Sequence, residues 1–177
     1  DMQWRLTDTS KPKRVVLMAS TQAHCLSDLL YRWRSGEMQF DIPCVISNHD
    51  ELRSYVNWHN IPYHHAPVDQ NDKTAHFAEV ATQIARSRAD VIHHSFLPAF
   101  VGAKPYHQAA ERGVKLIGAT CHYVTSDLDA GPIIEQDVVR ISHHDSVPDL
   151  VRKGKDVEKN VLAKGLRYHL EDRVLLH

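Results

Sequence analysis

The chain has 177 residues, 42% apolar and 24% charged, with a formal net charge of -1, which suits one ordinary globular domain with a real core. That charge balance lacks the basic footprint of a nucleic-acid binder, and no window approaches the ~18 apolar residues of a membrane span, so neither is expected as a partner. Cys25, Cys44 and Cys121 are odd in number and sit in apolar surroundings, which favours buried reduced thiols in a cytoplasmic protein over a disulfide framework.

Residues 1–13 are polar and broken by Pro12, and read as a linker from something upstream. Arg14 to Ala19 is an apolar run bounded by polar residues, the mark of a strand buried on both faces. Cys25, Leu26, Leu29, Leu30 and Trp33 share one helix face, closed by Ser35 and Gly36. Ile42 to Ile46 is a second strand, after which Asn48 and Asp50 offer N-caps for a helix through about Trp58. Pro62 to Val68 holds a third, short strand, and Phe77, Val80, Ala81, Ile84 and Ala85 make another amphipathic helix. This alternation predicts an α/β fold: a three-layer, mainly parallel twisted sheet with helices on both faces.

The rhythm then stumbles, because Ala89 to Ile92 passes from a helix end into His93-His94-Ser95-Phe96-Leu97-Pro98 where a full strand and a further connection are expected. A short helix over Pro105 to Arg112 follows, ended by Gly113. Val114 to Val124 and Pro132 to Ile141 are strand candidates joined by a turn holding Asp127, Asp129 and Gly131, and so are expected to be antiparallel neighbours. Val147 to about Glu171 reads as one long charged amphipathic helix, interrupted by Gly154 and Gly165.

Two places carry side chains suited to proton transfer at a carbonyl: the adjacent His93 and His94, and the turn with Asp129. Adjacent strand residues point to opposite faces, so at most one of the two histidines serves a given site. An Asp in a turn ordinarily bonds its own backbone, and His122 on its apolar strand reads equally as a satisfied core histidine. The pairs His64-His65, His93-His94 and His143-His144 lack the three- or four-residue spacing that joins two ligands on a helix, so no metal is expected. Ser20-Thr21-Gln22-Ala23-His24 stands where a glycine-rich phosphate loop would follow the first strand.

His93, Ser95, Leu97 and Pro98 match the pattern Asn-x-His, Ser-x-Leu-Pro, and His122, Val124, Asp129, Gly131 and Ile133 match His-x-Val leading to Asp-x-Gly-x-Ile. Together they resemble the formyltransferase-fold family, which handles 10-formyltetrahydrofolate. Within it, five further stretches are similar to the deformylase branch: His24-Cys25-Leu26 with Asp28-Leu29-Leu30, Lys104-Pro105-Tyr106-His107-Gln108, Gly118 to Tyr123, Gly131-Pro132-Ile133-Ile134 and Asp156-Val157-Glu158-Lys159-Asn160. The resemblance spans about residues 14–175.

What the resemblance implies is hydrolysis of 10-formyltetrahydrofolate to formate and tetrahydrofolate, supplying formate for purine synthesis and balancing the one-carbon folate pool. His93 and Asp129 are then catalytic, and His122, Val124, Thr125, Ser126, Gly131, Leu97 and Pro98 bind substrate. It also implies no permanently bound cofactor, a folate substrate as small-molecule partner, and a homo-oligomer, dimer or tetramer. Residues 14–177 are expected to form the catalytic domain, with 1–13 a linker from an absent N-terminal ACT-like regulatory domain.

Two departures stand out. The family's catalytic Asn lies two residues before His93, where this chain has Val91. The deformylases also resemble a chain with roughly two dozen more residues before the His-His segment, so residues are expected to be missing near positions 90–92. The alternatives are a formyltransferase to an amine acceptor, resembling glycinamide ribonucleotide transformylase, against which the missing phosphate loop weighs, and a folate-binding regulator without catalysis. A zinc hydrolase is more distant still.

Overall fold

A computed structural model of the protein describes residues 8, 10–68, 72–94, 105–123 and 131–175, with backbone alone for Lys73, Ile92, His93, His94 and Pro105. The central strand β1 (Val15–Ala19) carries three residues, Val15, Val16 and Leu17, with no exposed surface. It is flanked in parallel by β2 (Val45–Ser47) on one side and β4 (Val91–His94) on the other, and β3 (Tyr63–His65) pairs outside β2. The sheet order is therefore β3-β2-β1-β4.

Alternation along β1 sorts the helices into two layers, since successive side chains point to opposite faces. Val15 and Leu17 pack with Leu26, Leu29 and Leu30 of α1 (His24–Arg34), Val56 of α2 (Arg53–Trp58) and Ala163 and Leu166 of α5 (Val147–Leu170). Val16 and Met18 instead meet Val80 and Ile84 of α3 (Lys73–Ser87). Burying each such aliphatic side chain contributes about 1.5–3 kcal/mol. The expected parallel sheet with helices on both faces is what the chain builds.

The remaining elements form a second unit. β5 (Leu116–His122) and β6 (Ile133–Arg140) make an antiparallel two-stranded ribbon, and α4 (Pro105–Glu111) precedes it. One ribbon face packs on α5, through Ala119, Cys121 and Ile134 against Val161 and Leu162. Farther along, Ile117 and Ile141 meet Ala109 of α4 and Leu150 of α5.

Four expectations need adjusting. The second strand starts at Val45 rather than Ile42, because Pro43 has no N–H to offer a ladder. Neither Asn48 nor Asp50 caps α2: Leu52 holds that position without a side-chain bond, and Asp50 accepts the Arg53 Nε proton at 2.7 Å instead. The segment after α3 is itself strand β4, reached at once: Arg88 turns the helix end at φ 49°, and Val91 pairs opposite Val15. Arg14 ties this junction down, its guanidinium donating to the Ser87 carbonyl and its amide to Asp90.

The fourth adjustment concerns α5, which runs without a break through Gly154 and Gly165. A Cβ at Gly165 would collide with Cys121 of β5, and one at Gly154 with the Tyr106 ring of α4. The two glycines are contact points where a neighbour presses on the helix, not interruptions of it. Its N-terminus is closed by a capping box between Ser146 and Asp149. All three cysteines are buried free thiols. Among the described residues no helix is long and apolar enough to cross a membrane.

Candidate active site

In this sheet the chain steps outward from β1 to β2 and β3, then returns to β4 on β1's other side. The reversal creates a topological switch point, and ligands of open α/β sheets bind outside the carboxyl ends of the strands there. His93 lies opposite Leu17 and His94 opposite Met18, so the His-His segment forms the carboxyl end of the strand that makes the switch. Val91, where the family pattern has Asn, sits at the other end of β4 and packs into the core that includes Val15 and Leu17. Ser95, Leu97 and Pro98 fall outside the described residues.

The other half of the predicted site belongs to the ribbon. Val124, Thr125, Ser126 and Asp129 lie outside the described residues, but both ends of their turn are described. The Tyr123 amide donates to the Pro132 carbonyl at 2.9 Å, closing the turn's base. His122 Nδ1 lies 2.9 Å from the Tyr123 carbonyl oxygen, and the ribbon's register shifts between Cys121 and His122. Such irregularities bend a strand and re-aim side chains beside active sites. Gly131 has the Tyr123 carbonyl so close that a Cβ would overlap it. Of the predicted site residues, the structure brings His122 and Gly131 together, at the two ends of the stretch that holds Asp129. Tyr123 extends this anchoring to α5, its hydroxyl 2.8 Å from His169 Nδ1.

One polar group was not singled out by spacing. Glu158 of α5 is buried, with Oε2 2.6 Å from His24 Nε2 and Oε1 accepting the Tyr106 hydroxyl at 2.5 Å. Burial, then the Glu158 bond, raises the Tyr106 pKa, so the phenol stays protonated and donates. The neighbouring Cys25 thiol is pushed up to about 12 by burial and then by the Glu158 charge. Ligand atoms of His24, Cys25 and Glu158 lie within 4.8 Å of one another. A thiol held in its protonated form is a poor ligand, and both Glu158 oxygens already accept hydrogen bonds. The arrangement reads as a hydrogen-bonded network. Its members lie 134 and 52 positions from Glu158, which is why no local pattern reveals it.

Comparison with known proteins places this geometry. The formyl transferase family model matches residues 80–166, from α3 to the last third of α5. A formyltetrahydrofolate deformylase from Synechocystis is 45% identical over 197 residues, covering 98% of this chain and 69% of the relative. That alignment is longer than the chain's 177 residues, so the relative carries some twenty residues or more in the matched stretch with no counterpart here. The crystal structure of a formyltetrahydrofolate deformylase from Pseudomonas syringae pv. tomato superposes with a TM-score of 0.92 at 61% identity, covering 98% of this chain and 66% of that one. A glycinamide ribonucleotide transformylase from Symbiobacterium toebii gives a TM-score of 0.82 at 25% identity, covering 94% of this chain and 91% of its own. The chain thus spans about two thirds of the length of its deformylase relatives, and it belongs to the formyltetrahydrofolate deformylase family.

Proposed function

We propose that this chain carries the hydrolytic site for 10-formyltetrahydrofolate, releasing formate and tetrahydrofolate with water as nucleophile. The observation that carries the reading is the 45% identity over 98% of the chain to a protein named for that reaction. Attack by water turns the formamide carbonyl into a tetrahedral oxyanion, and the folate nitrogen must leave protonated. His93, on the switch-point strand, donates a hydrogen bond to the developing oxyanion; one such donor is typically worth ~10²–10³ in rate. Asp129 orients or deprotonates the water, and its charge favours the protonated form of His93. His122, Val124, Thr125, Ser126, Gly131, Leu97 and Pro98 bind the substrate, and His122 and Gly131 lie at the two ends of the stretch that holds Asp129.

The finer expectations belong with this reading: formate feeding purine synthesis, a cytoplasmic homo-oligomer, no bound metal or cofactor, and residues absent near positions 90–92. A second reading rests on Val91. With the family's Asn position filled by a core aliphatic side chain, the chain would bind folate without turning it over. Formate release from 10-formyltetrahydrofolate, measured with and without an added amine acceptor, separates the possibilities. Release independent of acceptor is the expected result. Dependence on the amine would mean a transferase, and tetrahydrofolate binding without release would mean a regulator.

A further inference from the structure

Three stretches far apart in the chain converge on the Glu158 carboxylate. His24 opens α1, Tyr106 lies in α4 and Glu158 in α5, and each belongs to one of the stretches similar to the deformylase branch. Glu158 is only 6% exposed, and its two oxygens are satisfied by two short bonds, one to each partner. The helix is shaped to allow them. Gly154 lies one turn before Glu158 on the same face, and only the lack of a side chain there lets the Tyr106 ring lie against α5.

The His24 end of the network lies on the switch-point side of the sheet. β1 ends at Ala19 and α1 begins at His24, so this residue heads the helix that leaves the carboxyl end of β1, the strand paired with the one carrying His93. With Nε2 held against the carboxylate, the other ring nitrogen, Nδ1, is buried and has no partner among the described residues. A carboxylate on one imidazole nitrogen sets which nitrogen carries the proton and fixes the ring's orientation. Holding α1 on α5 does not require this group, because Leu26, Leu29, Leu30, Ala163 and Leu166 already share one core.

We propose that Glu158 is a positioning residue of the hydrolytic site, fixing the tautomer and orientation of His24 so that this ring shapes the crevice between β1 and β4 where the formyl group is cleaved. The proposal rests on the hydrolytic reading above. Tyr106 shares the carboxylate and keeps it from rotating.

The test is Glu158→Gln, nearly isosteric but uncharged and with one acceptor oxygen where the carboxylate has two, so it can no longer accept from both His24 and Tyr106. Formate release, thermal unfolding and the ring-nitrogen resonances of ¹⁵N-histidine-labelled protein are compared for wild type, Glu158→Gln, His24→Gln and the double variant. We expect Glu158→Gln to unfold cooperatively, with the His24 ring-nitrogen resonances shifted from their wild-type positions, kcat lower by about tenfold or more and KM within about threefold. The double variant should lose no more than the worse single one, since one residue acts through the other. Wild-type kcat in folded Glu158→Gln, or losses that multiply in the double variant, would overturn the proposal. Should Glu158→Gln fail to fold, Tyr106→Phe keeps the ring on Gly154 and removes one bond. A drop of about threefold in kcat at constant KM then supports the proposal, and unchanged kcat overturns it. A wild-type protein that releases no formate would instead remove the hydrolytic reading and this proposal together.

Discussion

Whereas β1 is enclosed on both faces, with Val15, Val16 and Leu17 fully buried, the β5–β6 ribbon is covered on one side only among the described residues. Ile117, Ala119 and Cys121 turn inward towards α4 and α5, while Leu116, Ile133 and Val138 remain largely exposed. The proposed site is divided between these two environments. His93 rides on a strand braced by its neighbour β1, and Asp129 lies in the chain between β5 and β6, strands that pack on α5. The lesson is that one half inherits the sheet's rigidity, whereas the other is held by local devices: the Tyr123–Pro132 bond, the tight Gly131 contact and the Tyr123–His169 pair.

Four experiments can break or sharpen that contrast. Leu17→Ala removes a side chain packed in the enclosed sheet and should cost about 2–5 kcal/mol in denaturant unfolding; a loss well under 1 kcal/mol would show the sheet is not the stable half. Asp129→Asn should leave unfolding unchanged and lower formate release by roughly 10²-fold, about 2.7 kcal/mol in barrier. Wild-type turnover in that variant would remove the ribbon's turn from the mechanism.

Acid should act next, on the helix that supports the ribbon. Asp149 is held down to about 2 chiefly by its side-chain bond with Ser146, then by the Ser146 amide and Arg152. A carboxyl depressed on folding stabilises fully above its unfolded pKa of about 4, and the contribution is lost as pH falls through the folded value. Helix content followed by circular dichroism should therefore fall between pH 4 and 2 less steeply in Ser146→Ala than in wild type, and identical acid profiles would exclude the cap as the cause. The smallest effect is expected at Val138→Ser on the ribbon's open face, within about 0.5 kcal/mol. A cost above 1 kcal/mol would mean that this face is covered in solution.

Much of the fold was legible because the local signals agree with the tertiary result. The apolar run around Leu17 reads as a doubly buried strand and is one; the spacing of Cys25, Leu26, Leu29 and Leu30 reads as a helix face and packs as one. Legibility failed where a side chain took a partner other than the one its local sequence suggested. Asp50 looked like a cap and went to the Arg53 guanidinium. Glu158 lies on a helix read only as charged and amphipathic, and is buried against His24 and Tyr106, residues brought near by the packing of α1 and α4 on α5. The proposed site rests on motif resemblance rather than pattern, since neither His93 nor Asp129 stands out by spacing alone.

The two glycines of α5 also bear on how the molecule opens. Each lowers the helix's own propensity by about 1 kcal/mol relative to alanine, so this 24-residue element relies on being docked. Local unfolding is least costly where backbone hydrogen bonds lack tertiary cover, and the amides around Gly154 and Gly165 are covered by Tyr106 and Cys121. Their hydrogen exchange should therefore report the detachment of α4 and of the ribbon separately, one glycine serving as the gauge for each.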